Sequence, residues 1–326
     1  MTGLRVVKTG LLATVQDLGR VGYLGHGITV GGALDAFSLR CANRLLGNAD
    51  HLAGIEIALT GLTLKATCNL QLALCGASAT LSINGEEQFM DHALWVSAGS
   101  TITIGRALTG TYSYLAIKGG ISTPQVLGSR STVVREGIGG LNGQALKPGD
   151  FLPITGLDNP ATAQSPARHW QRQLQAKPAA QNDILRLRFL PGLHYDDVSQ
   201  TCRDTLCAQT FTLSGAANRM AAPLIGSPVD TGLTKLWSEP TCLGSIQIPP
   251  DGQPLVLLND RQTMGGYPQL GVIIPLDRVR LGQARPGQQV RLEAMTLAAA
   301  EQVVWLHEHY EETHLRALDR LGGTSP

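Results

Sequence analysis

The run TVQDLGRVGYLGHGITVGGALDAFSLRCANRLLGN, Thr14 to Asn48, decides how this chain is read. Its first half carries glycines too closely spaced for regular structure, since glycine marks turns and left-handed backbone. Its second half sets Leu34, Phe37, Cys41 and Leu45 three or four residues apart, the period of a helix face, and predicts a helix over 34–46. Asp35 stands at the start of that helix, where a carboxylate suits the positive end of the dipole. Gly47-Asn48 supplies a left-handed stop. A second run, LNDRQTMGGYPQLGVIIPLD, Leu258 to Asp277, echoes the first. Asp17 matches Asp260, Tyr23 matches Tyr267, Gly27 matches Gly271 and Asp35 matches Asp277. The tyrosine-to-glycine spacing is four in both copies, and the Asp-to-Tyr spacing is six in one and seven in the other. Repetition of this kind bears directly on architecture, and it predicts two related halves, each with one polar, glycine-rich loop.

Working outward, the residues from Gly54 to Lys118 form short alternating runs: IEIAL, LTLKA, LQLAL, ATLSI, HALWVS, STITI and YSYLAI. Asn84-Gly85 between two of them is a strong hairpin signal, and such regular spacing predicts a barrel or sandwich. Residues 155–182 shift to Ala, Gln and Pro and read as a connection, with a short helix at His169 to Leu174. Strands resume at ILRLRFLP, FTLSG, SIQIP, PLVLL, GVIIP and QVRLEA, and Thr296 to Leu321 reads as a helix. The turns KPGD (147–150) and RPGQQ (285–289) each precede a closing strand. The expected fold is mainly β with a few helices, a β-rich α+β chain. The expected division is a β-barrel-like half over 1–154, a connection over 155–182, and a second β-barrel-like half with a terminal helix over 183–326.

Composition narrows the function. A net charge of +1 with 16% charged residues offers no concentrated basic face for nucleic acid, and no basic run suits a membrane surface. No stretch approaches the roughly 20 apolar residues that span a bilayer, and the strand-like N-terminus reads as neither signal peptide nor anchor. None of the six cysteines falls in a Cys-x-x-Cys pair, so they read as buried apolar groups of a protein in the reducing cytoplasm.

Several residues carry the chemistry. Asp17 and Arg20 lie three apart in a glycine turn. On residues alone they read as an ion pair pinning the loop, and they also suit a polar ligand. Tyr23 follows as a packing or pocket-lining ring. Asp260, Arg261, Gln262, Thr263 and Tyr267 offer a carboxylate, a guanidinium, an amide and hydroxyls around Gly265-Gly266, where main-chain N–H groups approach a ligand closely. Glu239 is an acid–base candidate that reads more simply as a loop carboxylate. Gly137–Gly143 resembles a glycine-rich nucleotide loop without the strand–helix context that would support it. In HEHYEETH, His307, Glu311 and His314 share a helix face, which reads as a solvated charged face rather than a metal site. No metal site is expected.

The same segments carry a family resemblance. With Gly128–Asp150, LPGLHYD (190–196), NRM (218–220) and SEPTCLGSIQIPPDGQP (238–254), the chain from about Thr14 to about Glu293 resembles the family of 5-oxoprolinase C subunits. That family is also called biotin-dependent carboxyltransferase-like or allophanate-hydrolase-subunit-2-like, and it includes the KipA regulators and part of urea carboxylase. The resemblance implies packed cyclophilin-like β-barrel units. It implies ATP-dependent opening of 5-oxo-L-proline to L-glutamate, with ATP and Mg²⁺ acting at the level of a complex with subunit-A-like and subunit-B-like (KipI-like) partners, the chain being inactive alone. The alternatives are a carboxyltransferase acting on urea or a related amide, and a KipA-type regulator. With no Ala-Met-Lys-Met acceptor, no covalent biotin is expected on this chain. The resemblance makes Asp17, Asp260 and Arg261 catalytic candidates. It adds Arg130, Asn218 and Arg219 to Arg20, Tyr23, Gln262, Thr263 and Tyr267 as substrate-binding candidates.

Overall fold

A computed structural model describes residues 2–154, 183–233 and 236–322, so the connection expected over 155–182 and its short helix lie outside the described residues. The chain divides into two compact units that interleave along the sequence. Described residues of 2–20, 31–154 and 311–322 make one unit, and those of 21–30 and 183–310 make the other. A division into consecutive segments does not contain this exchange of Val21–Val30 and of the chain from Glu311.

The first unit is built on β1 (Gly3–Thr9), β2 (Leu12–Gln16), α1 (Ala36–Leu45), β3 (Gly54–Ala58), β4 (Leu62–Ala66), β5 (Leu70–Ile83), β6 (Glu86–Gln88), β7 (Leu94–Val96), β8 (Thr101–Ile117) and β9 (Phe151–Pro153). Its nine strands form one curled sheet in the order β2-β3-β8-β4-β1-β9, with β5 pairing β6, β7 and β8. Alternation sends Leu4, Leu64, Leu72, Ile102 and Leu115 into a shared core. Four expected strands are two here. LQLAL and ATLSI run together as β5, and STITI and YSYLAI as β8. Gly76 (φ +99°) and Gly110 (φ +76°) let the long strands bend, and register shifts between Gly76 and Leu81 absorb the bend. The Asn84-Gly85 hairpin forms as expected, with both residues at positive φ between Ile83 and Glu86.

Helix α1 starts where Asp35 accepts the Ser38 N–H at 2.9 Å and ends before Gly47 (φ +63°). Cys41, Ala42 and Leu45 pack with Ala73, Cys75 and Ala116, and with Leu315 and Leu318 of the C-terminal helix. The solvated face expected at HEHYEETH holds for Glu308 and His309, which are exposed, and is corrected at His314. His314 is buried with its ring 5.4 Å from Phe37, and Glu311 and Glu312 pair with Arg40. Burial lowers the His314 pKa from its ordinary value.

The second unit holds β10 (Leu185–Pro191), α2 (Gln200–Ala208), β11 (Phe211–Leu213), β12 (Ala221–Ile225), β13 (Glu239–Pro240), β14 (Ser245–Gln247), β15 (Leu255–Leu257), β16 (Met264–Gly265), β17 (Gln269–Ile273), α3 (Pro275–Gln283), β18 (Gln289–Ala294) and α4 (Leu297–Gly322), of which the part from Glu311 groups with the first unit. Seven strands close a barrel in the order β10-β17-β14-β15-β12-β11-β18, its one parallel pair being β10 and β18. β13 and β16 form a separate two-stranded ribbon, Glu239 opposite Gly265. The expectation of a mainly β protein with a few helices holds.

The repeat is real only at some positions. Asp17 and Asp260 each follow a strand, β2 and β15, and are buried. Asp35 caps α1, and Asp277 lies in the first turn of α3, where Arg188 grips it through Nε and Nη2. Gly27 and Gly271 are not equivalent. Gly27 is a left-handed residue closing a short 3-10 turn. Gly271 lies within β17, where a Cβ would stand 2.3 Å from the Phe189 ring.

Candidate functional site

In the first unit the loop after β2 is locked by the loop after Val126. The Asp17 carboxylate accepts from Gly19 N–H (2.8 Å), Ser129 Oγ (2.7 Å), Arg130 N–H (2.6 Å) and Ser131 Oγ (2.5 Å). A carboxylate offers about four lone-pair sites, so these donors fill it. Arg20, 1% exposed, donates to the Ser131 carbonyl at 2.6 Å. Arg130 donates from Nε to the Ile121 carbonyl at 3.1 Å. The glycine-rich run is packed from behind: a Cβ on Gly139 would meet the Ser131 carbonyl oxygen at 1.9 Å, and one on Gly140 the Thr132 hydroxyl at 1.9 Å. Its glycines serve close approach of backbone to these neighbours.

The second unit is different in kind. Arg219 grips Asp260 bidentately, Nε to Oδ2 at 2.9 Å and Nη2 to Oδ1 at 2.8 Å, with both side chains buried. The next residue, Arg261, is 2% exposed. Its Nη2 reaches the Thr241 carbonyl only at 3.4 Å, and Nε and Nη1 have no hydrogen-bond partner among the described residues. The Thr29 hydroxyl fixes the Arg261 carbonyl at 2.9 Å. Burial lowers the Arg261 pKa. Burial, then repulsion from Arg261, lowers Arg278 of α3 to about 10. Arg261 is buried and Arg278 partly buried, and their mutual repulsion is what an anionic ligand would relieve.

Gln247, at the end of β14, is fully buried, and neither its Oε1 nor its Nε2 has a partner among the described residues. The β13–β16 ribbon lies against it. A Cβ on Gly265 would stand 2.5 Å from Gln247 Nε2 and 3.2 Å from Thr241 Cγ2. Gly265 therefore borders both Gln247 and Thr241, and the Thr241 carbonyl faces Arg261 Nη2. Beside Gln247 in register, Gln269 donates to the Pro240 carbonyl at 3.1 Å and accepts from Ser245 Oγ at 3.2 Å. The Gln269 N–H donates to His194 Nδ1 at 3.1 Å, which leaves the proton of a neutral ring on Nε2, 3.5 Å from Glu239.

The family described as carboxyltransferase domain, subdomain A and B, matches residues 26–294. The chain belongs to that family. It is 36% identical over 301 residues to the 5-oxoprolinase C subunit of Escherichia coli strain K12, covering 91% of this chain and 93% of that protein. It is 33% identical to the Haemophilus influenzae protein of the same name, covering 94% and 96%. Urea amidolyase of Saccharomyces cerevisiae is 26% identical across 98% of this chain, which spans only 18% of that protein. Among solved structures, TTHA0988 superposes with a TM-score of 0.78 at 33% identity over 90% of this chain, which spans about half (55%) of it. Urea amidolyase of K. lactis shares the fold at a TM-score of 0.83 and 24% identity, covering 98% of this chain and 20% of that one.

The carboxyltransferase-domain match contains Gln247, Arg219, Asp260, Arg261 and Arg278, whereas Asp17, Arg20 and Tyr23 precede it. Asn218 makes a local turn, its Oδ1 accepting the Met220 N–H at 2.8 Å. Gln262 and Thr263 face Thr241 through main-chain carbonyls, at 2.5 Å from its hydroxyl and 2.9 Å from its N–H. Tyr267 is exposed, and the Tyr23 ring lies 6.3 Å from His26. The structure therefore brings Arg219, Asp260 and Arg261 together in the second unit, and Asp17, Arg20 and Arg130 in the first. Sequence reasoning missed Gln247, Arg278 and His194. Gln247 stands in a strand whose alternation gave no reason to single out a polar residue. Among the described residues no group of three or more His, Cys, Asp or Glu side chains is arranged to hold a metal ion, and no helix is long and apolar enough to cross a membrane.

Proposed function

We propose that this chain is the C subunit of an ATP-dependent 5-oxoprolinase, opening 5-oxo-L-proline to L-glutamate with subunit-A-like and subunit-B-like partners in the cytoplasm, and inactive without them. The observation that carries this reading is the 36% identity to a 5-oxoprolinase C subunit across nearly the full length of both chains. The chemistry fits the site. A lactam carbonyl is a poor electrophile, and ATP with Mg²⁺, held by the complex, would supply the phosphoryl group that activates its oxygen. Phosphoryl transfer to that oxygen would release ADP; water then adds to the activated carbon, the C–N bond breaks with the ring nitrogen taking up a proton as the amine of glutamate, and a second water cleaves the remaining acyl phosphate to the side-chain carboxylate and inorganic phosphate. Arg261 and Arg278 place positive charge where the substrate carboxylate and the developing oxyanion need it. Glu239, beside the Nε2–H of His194 at 3.5 Å, forms with it the pair that accepts and returns protons. Asp260 and Asp17 act as positioning residues that fix Arg219 and the loop after β2.

A second reading is carboxyl transfer to urea or a related amide, with carboxybiotin delivered on a partner rather than on this chain. The similarity to urea amidolyases favours it. Glutamate formation from 5-oxo-L-proline against recovery of a biotinylated partner in a pull-down separates the two. ATP-dependent glutamate without any biotinylated protein supports the first. Avidin-sensitive, urea-dependent ATP turnover with no glutamate overturns it.

A further inference from the structure

We propose that Gln247 and Arg261 form a subsite that reads the edge of a cis amide: the Gln247 side chain pairs with the adjacent N–H and C=O of the ligand, and Arg261 takes a carboxylate of the same molecule. That the ligand is 5-oxo-L-proline rests on the function proposed above; the edge itself is shared by lactams and ureido groups.

Three observations carry this. First, Gln247 is fully buried, yet both of its amide atoms lack partners among the described residues. Buried amides are normally satisfied, because an unpaired donor or acceptor in the interior is costly. The sheet does not prevent pairing here, since the neighbouring Gln269 uses both ends of its amide. Second, the backbone of the ribbon comes against this amide at a glycine. A Cβ at Gly265 would stand 2.5 Å from Gln247 Nε2. Third, the same ribbon glycine adjoins Thr241, whose carbonyl faces a second buried, partly unpartnered group, the Arg261 guanidinium.

The geometry of the donor set selects the ligand class. A primary amide presents an acceptor and a donor side by side. It matches a partner whose N–H and C=O also point the same way. A trans peptide bond, the ordinary form, points them apart. A five-membered lactam holds them together, as does a ureido group. Arg261 adds the preference for an anionic substituent.

The test is binding and turnover by the assembled complex, with Gln247→Leu and Arg261→Met beside wild type. The probes are 5-oxo-L-proline, 2-pyrrolidone (lactam without carboxylate), cyclopentanecarboxylate (carboxylate without amide) and 2-imidazolidinone (ureido). Thermal unfolding confirms that each variant folds. Gln247→Leu is expected to weaken 5-oxo-L-proline and 2-pyrrolidone about tenfold or more and to leave cyclopentanecarboxylate unchanged. Arg261→Met is expected to do the reverse for the two single-feature probes. If wild type turns over 5-oxo-L-proline and folded Gln247→Leu keeps its KM, the subsite is overturned while the proposed function stands. If wild type ignores lactams but binds 2-imidazolidinone in a Gln247-dependent way, the subsite stands and the 5-oxoprolinase reading falls. Binding of neither cyclic amide by wild type overturns the subsite.

Discussion

Arg261→Met should make the protein more stable and the enzyme inactive. The guanidinium is 2% exposed, and Nε and Nη1 have no hydrogen-bond partner among the described residues. Each unsatisfied buried donor costs about 1–3 kcal/mol. The bond that would be lost, Nη2 to the Thr241 carbonyl, is 3.4 Å long and outside the usual range for a strong hydrogen bond. Methionine fills much of the arginine stem and carries no charge, and Arg278 loses a like-charged neighbour. Even a paired buried charge can often be replaced by well-packed apolar groups with no loss or with a gain of about 1–4 kcal/mol. A gain of about 2 kcal/mol corresponds to a rise in Tm of about 3 °C for a chain of 326 residues. Urea or thermal denaturation of the purified chain reads the gain, and turnover of 5-oxo-L-proline by the assembled complex should fall by about 10²-fold, through loss of a charge-assisted hydrogen bond to the substrate carboxylate worth up to about 3 kcal/mol. Such an exchange of stability for activity is characteristic of functional sites. A lower Tm for Arg261→Met would mean instead that the protein itself, and no ligand, satisfies this cation.

Other perturbations have distinct signs. Asp260→Asn leaves the Arg219 charge buried against a neutral amide and should cost about 3–5 kcal/mol in urea denaturation, whereas the double change Arg219→Met with Asp260→Leu should recover most of that loss. Gly265→Ala drives a methyl toward Gln247 Nε2, 2.5 Å from the Cβ position, and should raise KM for 5-oxo-L-proline about tenfold or more with a smaller change in Tm. Burial depresses the folded-state pKa of His314 below its ordinary value of 6.5, so the unfolded chain binds the proton more readily. Stability should therefore fall as the pH drops below about 6.5, and His314→Leu should flatten that acid-side slope in denaturation midpoints measured from about pH 7.5 to 5.

Alternation made most of the strands legible, and the capping residues Asp35 and Gly47 made α1 legible, because both signals are local. Elements defined by distant partners were not. The ribbon strands β13 and β16 have two residues each, too few for any period. α3 follows the apolar run GVIIP with little apolar periodicity of its own, so it merged with the strand before it. The long strands β5 and β8 read as four because glycine, the residue that bends them, is also the residue that ends strands. In the site, Asp260-Arg261-Gly265 stood out as a polar, glycine-rich loop after an apolar strand. That Asp260 is claimed by Arg219, 41 residues away, while Arg261 Nε and Nη1 find no partner among the described residues, depends on tertiary contacts. Gln247 was hidden for the same reason, since its significance is an absence of partners. His314 read as solvated because the helix pattern cannot show that Phe37 covers it.

Glutamate release from 5-oxo-L-proline with ATP and Mg²⁺, measured with this chain and its A-like and B-like partners and with each omitted in turn, decides whether this chain is an obligatory 5-oxoprolinase subunit. ATP-dependent glutamate is expected from the full set and none when this chain is left out. Glutamate formed equally well without this chain, or none from the fully assembled complex, would contradict that role.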